Sequence, residues 1–139
     1  MIRQRGYAST VRVSVALLLH ELPDGSEHVD LLVALTDAYV DDEDRVVPTW
    51  RAPNRPDCLE LGATMTLEEI GHHRARYLRL TETCSLTDNR GRVTPLAIGT
   101  ADSSESSAGR RLAVRWNDGR TSAWTLVNTQ PGRWNLTNG

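Results

Sequence analysis

The amino-acid sequence predicts a mainly β protein, and three stretches carry this prediction. Residues 11–19 have valine or leucine at every odd position, which is the period-two pattern of a β-strand. Pro-Asp-Gly-Ser follows at 23–26 and is typical of a turn, because proline presets φ and glycine accepts a positive φ. Near the C-terminus, Asn-Asp-Gly at 117–119 separates two further alternating runs and predicts a tight hairpin.

The first of these elements is predicted as a long N-terminal β-hairpin. Its second arm, within residues 27–40, fits a strand with alternating apolar residues from Val29 to Leu35 on one face. The same residues also fit a helix with Asp30 and Asp37 on its polar face. We favour the strand because it follows a strand and a turn, and an α+β fold is the alternative.

One short helix is predicted near residues 67–74. Thr66 and Glu69 have the spacing of a capping box, in which the threonine caps the helix and the glutamate reaches back to it. Gly71 weakens this helix at its centre. Further along, the serine-rich stretch 101–109 has the composition of an exposed, mobile loop.

The C-terminal part is predicted as a small antiparallel sheet or barrel. The segment 114–124, Val-Arg-Trp-Asn-Asp-Gly-Arg-Thr-Ser-Ala-Trp, resembles the strand–turn–strand segments of small Tudor-like barrels over roughly thirty residues. The resemblance implies a fold and no function. At 139 residues the chain fits one compact domain over 1–139, with a weak subdivision into 1–84 and 85–139.

The charge is divided along the chain. Residues 1–69 hold thirteen acids and six arginines, for a balance of −7, and residues 70–139 hold five acids and ten arginines, for +5, which gives the overall −2. All sixteen cationic side chains are arginine. Such a division indicates either a basic surface for a partner or attraction between the two halves. The apolar run after Val11 is too short to span a membrane, so we expect a cytoplasmic protein with no membrane partner.

A metal site is the first functional hypothesis. Glu69 and His72 are three residues apart, which places both on one face of the predicted helix, and His73 follows directly. These three residues would make a small metal-dependent hydrolase. The spacing lacks a further ligand, however, and His20 and His28, which flank the first turn, could join the site only through folding. The capping box gives Glu69 a structural role, so we favour no metal and no cofactor.

A binding surface is the hypothesis that the sequence favours. Arginine and tryptophan alternate in the C-terminal third, and they are the residues most often found at interface hot spots. No nucleophile motif or phosphate-binding glycine loop is present, so a non-catalytic binding protein is preferred to an enzyme. The partner is expected to be an acidic protein surface, with nucleic acid second. A small-molecule-binding barrel lined by tryptophans is a further alternative. The predicted binding residues are Arg111, Arg115, Trp116, Arg120, Trp124 and Trp134.

Overall fold

A computed structural model describes residues 10–37, 41–107 and 109–139. These residues contain nine β-strands and two short 3₁₀ helices, at Pro56–Cys58 and Ala75–Arg79. The strands are β1 (Val11–Glu21), β2 (Glu27–Val33), β3 (Arg45–Ala52), β4 (Thr64–Arg74), β5 (Cys84–Ser85), β6 (Arg92–Ser106), β7 (Gly109–Trp116), β8 (Thr121–Gln130) and β9 (Arg133–Asn138).

Eight of the strands close into one antiparallel barrel. Strands β1 to β4 form one four-stranded meander and β6 to β9 form another. The two meanders join along two seams, where β1 pairs with β6 and β4 pairs with β9. The short strand β5 lies outside this ring and pairs with the start of β6. The mainly β prediction and the N-terminal hairpin are therefore confirmed.

The interior of the barrel follows from the strand register. Alternate residues of each strand point inward, and most of these positions are apolar and buried, with Ser103 and Arg110 as polar exceptions. Side chains from all around the ring meet there. They include Val13, Val15, Leu17, Leu31, Trp50, Leu67, Leu112, Val114, Trp124, Leu126 and Leu136.

A second buried layer lies outside the barrel wall. Leu18 and Asp30 are opposite each other in the β1–β2 register and point away from the interior, yet their exposures are only 0% and 1%. The 3₁₀ helix Ala75–Arg79 covers this face, since it contacts β1 and β3 and buries Tyr77 and Leu78. The sheet is thus covered on both sides here, and a polar side chain on the outer face is excluded from solvent.

The predicted helix at 67–74 is wrong, because these residues belong to strand β4. Its first half pairs with β9 through residues 64–68, and its second half pairs with β3 through residues 68–74. Leu67 points into the barrel and is fully buried, whereas Thr66 and Glu68 are exposed. Long-range pairing therefore outweighs the local capping pattern.

The mobile loop predicted at 101–109 is also wrong for residues 101–106, and residue 108 lies outside the described residues. Residues as far as Ser106 belong to β6, and Ala101 and Ser103 are buried in the barrel. Small side chains suit this place because they lie opposite the larger Val114 and Leu112 of β7. The four C-terminal strands form an antiparallel sheet, as one alternative predicted, but it closes onto the N-terminal strands instead of forming a separate Tudor-like barrel. No helix in the described ranges has the length and apolar character needed to cross a membrane.

Candidate metal centre

Three histidines surround one buried aspartate on the outer face of the barrel. The register of the N-terminal hairpin places His20 of β1 directly opposite His28 of β2. Asp30 lies two residues after His28, so both side chains are on the same face of β2. His73, near the end of β4, completes the group from the other side of β3.

A nitrogen of each imidazole lies within 4 Å of the Asp30 carboxylate. His28 Nε2 is 3.0 Å from Asp30 Oδ1, His73 Nε2 is 3.4 Å from Asp30 Oδ2, and His20 Nδ1 is 3.9 Å from the same Oδ2. Around a metal with bonds of about 2.1 Å, neighbouring ligand atoms are about 3.0 Å apart in octahedral and about 3.4 Å in tetrahedral geometry. The first two distances match these values, and the third requires a shift of roughly half an ångström.

Asp30 has no hydrogen-bond partner among the described residues. Its side chain is 1% exposed, and both carboxylate oxygens are buried without a hydrogen bond, as is His28 Nε2. The short contact between His28 and Asp30 therefore lacks hydrogen-bond geometry. A buried carboxylate is costly unless it is paired or coordinates a metal, so the group is incomplete as a purely structural cluster.

Backbone carbonyls orient two of the imidazole rings. His20 donates its Nε2–H to the carbonyl of Arg90 at 2.9 Å, and His73 donates its Nδ1–H to the carbonyl of Gly71 at 3.1 Å. In the neutral ring the other nitrogen, which faces Asp30, then carries a free lone pair. Metal-binding histidines commonly donate their second N–H to a carbonyl or carboxylate in this way.

A glycine holds the Arg90 carbonyl in place. Gly91 has a φ of +91°, and a Cβ there would lie 1.9 Å from the carbonyl oxygen of Glu21. The turn that contains Gly91 can therefore approach the end of β1 this closely only because residue 91 is a glycine. The close approach brings the Arg90 carbonyl within hydrogen-bonding distance of His20.

The pKa of His28 is lowered from its ordinary value. Burial is the largest cause because it disfavours the charged ring, and the nearby Arg51 guanidinium acts in the same direction. The Asp30 carboxylate opposes both. The lowered pKa favours the neutral imidazole, which is the form that binds a metal.

The donor set selects for a particular group of metals. Three imidazole nitrogens and one carboxylate suit first-row transition metals such as Fe²⁺, Mn²⁺ and Zn²⁺ and not Ca²⁺ or Mg²⁺, which take oxygen ligands. The donor atoms of His20, His28 and Asp30 all lie within 4.8 Å of one another. These three residues have the composition of a two-histidine, one-carboxylate triad, with His73 as a fourth ligand.

A cavity of about 320 Å³ opens beside the three histidines. Apolar, aromatic and cationic side chains all line it. They include Tyr77, Leu86 and Val93 and the arginines Arg45, Arg51 and Arg90.

Only one member of the predicted set Glu69, His72 and His73 belongs to this centre. Glu69 accepts a hydrogen bond from Trp134 Nε1 at 2.8 Å instead of capping a helix, and it does not line the cavity. His72 is exposed at the cavity edge. Adjacent residues of a strand point to opposite sides, which separates His72 from His73.

The predicted arginine and tryptophan surface is divided by the fold. Trp116 and Trp124 are 3% and 1% exposed and pack edge to face within the barrel, so neither belongs to the surface. Trp134 is half-buried beside Trp50. Arg111 is exposed, as the prediction requires.

The other two arginines of that surface are paired within the chain. Arg115 binds Asp102, and Arg120 binds Asp57 and Asp118. Binding of a protein or nucleic acid at this face stays a prediction, and it now involves Arg111, Arg115, Arg120 and Trp134.

A second cavity, of about 560 Å³, lies at one end of the barrel. Trp50, Trp134, Leu35 and Val127 line it, and Arg110 reaches it from the interior. Arg110 is 8% exposed and donates hydrogen bonds to Ser103 and to the carbonyl of Ala34, and no described carboxylate forms an ion pair with it. Burial lowers the pKa of this guanidinium from its ordinary value, and Glu105 partly offsets that effect.

Comparison with known proteins gives no assignment: no family model, no curated protein and no solved structure matches this chain. Any functional conclusion therefore depends on the geometry of the chain itself.

Sequence reasoning identified His73 but did not identify Asp30. A signal for the aspartate was present, because His-x-Asp at 28–30 places both side chains on one face of a strand. The predicted hairpin around 23–26 also brings His20 opposite His28. Two contributions could not be inferred locally, namely the approach of His73 across β3 and the burial of this face by the 3₁₀ helix.

Proposed function

We propose that this protein binds a divalent first-row transition metal through His20, His28, Asp30 and His73. The observation that carries the proposal is the Asp30 carboxylate, which is 1% exposed, lacks a hydrogen bond among the described residues and faces three imidazole nitrogens. A metal ion would compensate its charge and use the free lone pairs of the rings.

The metal centre is proposed to act on a small molecule. Structural zinc sites are closed by four protein ligands, whereas catalytic sites keep a coordination position open to substrate. Here the centre borders a cavity, and an octahedral metal such as Fe²⁺ or Mn²⁺ held by four residues keeps two positions for water or substrate. We therefore favour a metal-dependent enzyme over a purely structural metal site.

Metal stoichiometry tests this proposal. The protein is stripped with a chelator, dialysed and titrated anaerobically with Fe²⁺, and separately with Mn²⁺ and Zn²⁺, while bound metal is measured by elemental analysis. We expect one metal per chain in the wild type. Loss of a ligand should reduce affinity by a factor of ten or more, so Asp30→Asn and His28→Ala should not retain the metal through dialysis.

His72→Ala is the matched control, because His72 adjoins a ligand but does not contact Asp30. This variant should bind metal as the wild type does. Stoichiometric binding that survives in Asp30→Asn, or no binding of any of the three metals by the wild type, would refute the proposed centre.

A second candidate function is ligand binding at the end of the barrel. The observation that favours it is Arg110, a buried cation that forms no ion pair with a described carboxylate, beside a cavity lined by Trp50 and Trp134. An apolar molecule with an anionic end would complement both features. Decanoate should quench tryptophan fluorescence in the wild type and much less in Arg110→Gln, whereas decanol should not distinguish the two proteins. Equal quenching of both proteins by decanoate would contradict this function.

A further inference from the structure

We propose that the cavity beside the metal centre selects a small molecule that carries an oxyanion group, either a carboxylate or a phosphoryl group. Arg45 and Arg51 bind this group while it coordinates the metal. The inference rests on the proposed metal centre and specifies the class of molecule that the centre takes.

The charge of the cavity lining supports an anionic ligand. Four arginines line the cavity, and Asp30 is the only acid among the described lining residues. A divalent metal would add two further positive charges and would more than neutralise Asp30. A cationic substrate would be repelled in such a site, whereas an anion is attracted.

Two of the arginines are already engaged in the chain. Arg74 lies 3.4 Å from a carboxylate oxygen of Glu43, and Arg90 donates hydrogen bonds to the carbonyl and hydroxyl oxygens of Thr87 at 2.9 and 3.1 Å. These contacts fix both side chains at the edge of the cavity. They also reduce the number of donors that either arginine can offer to a ligand.

Arg45 and Arg51 are available for a ligand. Neither forms an ion pair with any acid that the structure describes, and both line the cavity. Arg51 lies directly opposite Asp30 in the β2–β3 register, so it belongs to the same outer face as the metal ligands.

The chemistry of arginine defines the group that is recognised. A guanidinium presents planar, paired N–H donors that match the two oxygens of a carboxylate or phosphoryl group. Such groups also coordinate transition metals, so one anion can bind the metal and the arginines together. The volume of about 320 Å³ limits the ligand to a small molecule, and Ile70, Tyr77 and Leu86 offer an apolar surface for its remainder.

The test uses oxalate as the carboxylate probe and methylphosphonate as the phosphoryl probe. Each is titrated into the Mn²⁺-loaded protein, and binding is followed by calorimetry and by the change in water relaxation at the metal. We expect at least one probe to bind the wild type. In the double variant Arg45→Gln/Arg51→Gln the Kd for that probe should rise on the order of a hundredfold, since each lost charge-assisted pair costs roughly tenfold.

Arg133→Gln is the matched control, because it removes an exposed arginine that does not line this cavity. Its Kd for the probe should equal that of the wild type. The probe with the lower Kd identifies the class of oxyanion. Failure of both probes to bind the metal-loaded wild type, or equal binding by the double variant, would overturn the inference.

The metal and the anion are measured separately, so failure of the anion site can be distinguished from failure of the metal centre. If the double variant binds Mn²⁺ normally but loses the probe, both proposals are supported. If the wild type binds no metal, the proposed function fails. Oxalate and methylphosphonate are then titrated into the metal-free protein to test the arginine site. Binding of a probe that the double variant weakens would support the arginine site, and absence of binding would overturn it.

Discussion

At the scale of single residues, the most informative side chain is an acid in an apolar setting. Asp30 lies between the apolar residues Val29 and Leu31, and in the sequence it fits a solvent-facing position equally well. Its burial results from a segment more than forty residues later in the chain, the 3₁₀ helix Ala75–Arg79, which no local pattern could reveal. Sequence reasoning therefore identified histidines near the site but not the carboxylate between them.

Asp30→Asn should stabilise the metal-free protein while abolishing metal binding. The buried carboxylate has no hydrogen bond from any described group, so its replacement by a neutral isostere removes a desolvation cost. We expect a gain of about 1–2 kcal/mol in the free energy of unfolding, measured by urea denaturation with a chelator present. A loss of stability would instead indicate that Asp30 has a structural role in the metal-free state.

Asp57 provides a contrasting case, a buried acid with satisfied partners. Its side chain is fully buried and accepts hydrogen bonds from Arg55 at 3.0 and 2.6 Å and from Arg120 at 2.9 Å. Burial is the largest single effect and raises its pKa, but the hydrogen bonds and the charges of the two arginines together outweigh burial, and the net pKa lies below the ordinary 3.8.

Asp57→Asn should destabilise the protein at neutral pH by about 2 kcal/mol, because it leaves two guanidiniums without their acceptor. A lowered folded-state pKa stabilises the fold above pH 3.8, and this contribution is lost as the pH falls through the folded value. The difference in the free energy of unfolding between the wild type and Asp57→Asn, measured by urea denaturation, should therefore become smaller below pH 3.8. Glu60→Gln, at an exposed acid nearby, is the control and should be as stable as the wild type at every pH. If the stability difference between the wild type and Asp57→Asn stayed constant at all pH values, the role given to Asp57 would be contradicted.

At the scale of elements, periodicity predicted strands more reliably than spacing predicted a helix. Strands β1 and β2 were identified because their alternation and the turn between them agree. The capping pattern at Thr66 and Glu69 misled because it depends on four residues, whereas β4 pairs along its eleven residues, first with β9 and then with β3. The serines of β6 misled similarly, since small side chains opposite large ones are a packing feature and not a sign of disorder.

The 3₁₀ helix Ala75–Arg79 is the element that converts an exposed sheet face into an enclosed site. The backbone N–H groups of Ala75 and Arg76 donate to the carbonyls of Asp44 and Asp42, so the acidic run 41–44 anchors its first residues. Leu78 is 1% exposed in this layer. The helix therefore controls both the stability of the outer layer and the access of solvent to the metal centre.

Leu78→Ala should reduce the free energy of unfolding by about 3 kcal/mol, through lost burial and the resulting cavity. It should also weaken metal binding, because solvent then reaches the outer face of β1 and β2. Leu61→Ala, at a leucine that is 85% exposed, is the control and should change neither quantity appreciably. Urea denaturation and metal titration of both variants give the comparison, and a Leu78 variant as stable as the control would contradict this role.

At the scale of the whole molecule, the charge division of the sequence is largely used within the fold. Glu21 binds Arg92 across the β1–β6 seam, Glu43 lies between Arg74 and Arg76, and Asp42 pairs with Arg79. The acids come from residues 1–69 and the arginines from residues 70–139, so attraction between the halves accounts for much of the division. Each exposed ion pair of this kind contributes little to the stability of the fold, so barrel closure depends mainly on the apolar interior.

Metal binding should stabilise the entire barrel and not only its outer face. The four ligands come from three strands of the first meander, which joins the second meander along both seams, so loss of the barrel separates the ligands from their positions. A ligand that binds only the folded state raises the free energy of unfolding by about 2.7 kcal/mol when its free concentration is a hundred times its Kd. Calorimetric scans of the wild type should therefore show one transition whose Tm rises by several degrees on addition of Mn²⁺ or Zn²⁺.

The Tm of Asp30→Asn should not respond to metal, and that of His72→Ala should respond as the wild type does. An equal rise in Asp30→Asn would place the metal elsewhere on the molecule, whereas a metal-dependent shift in only part of a split transition would show that the two meanders unfold separately.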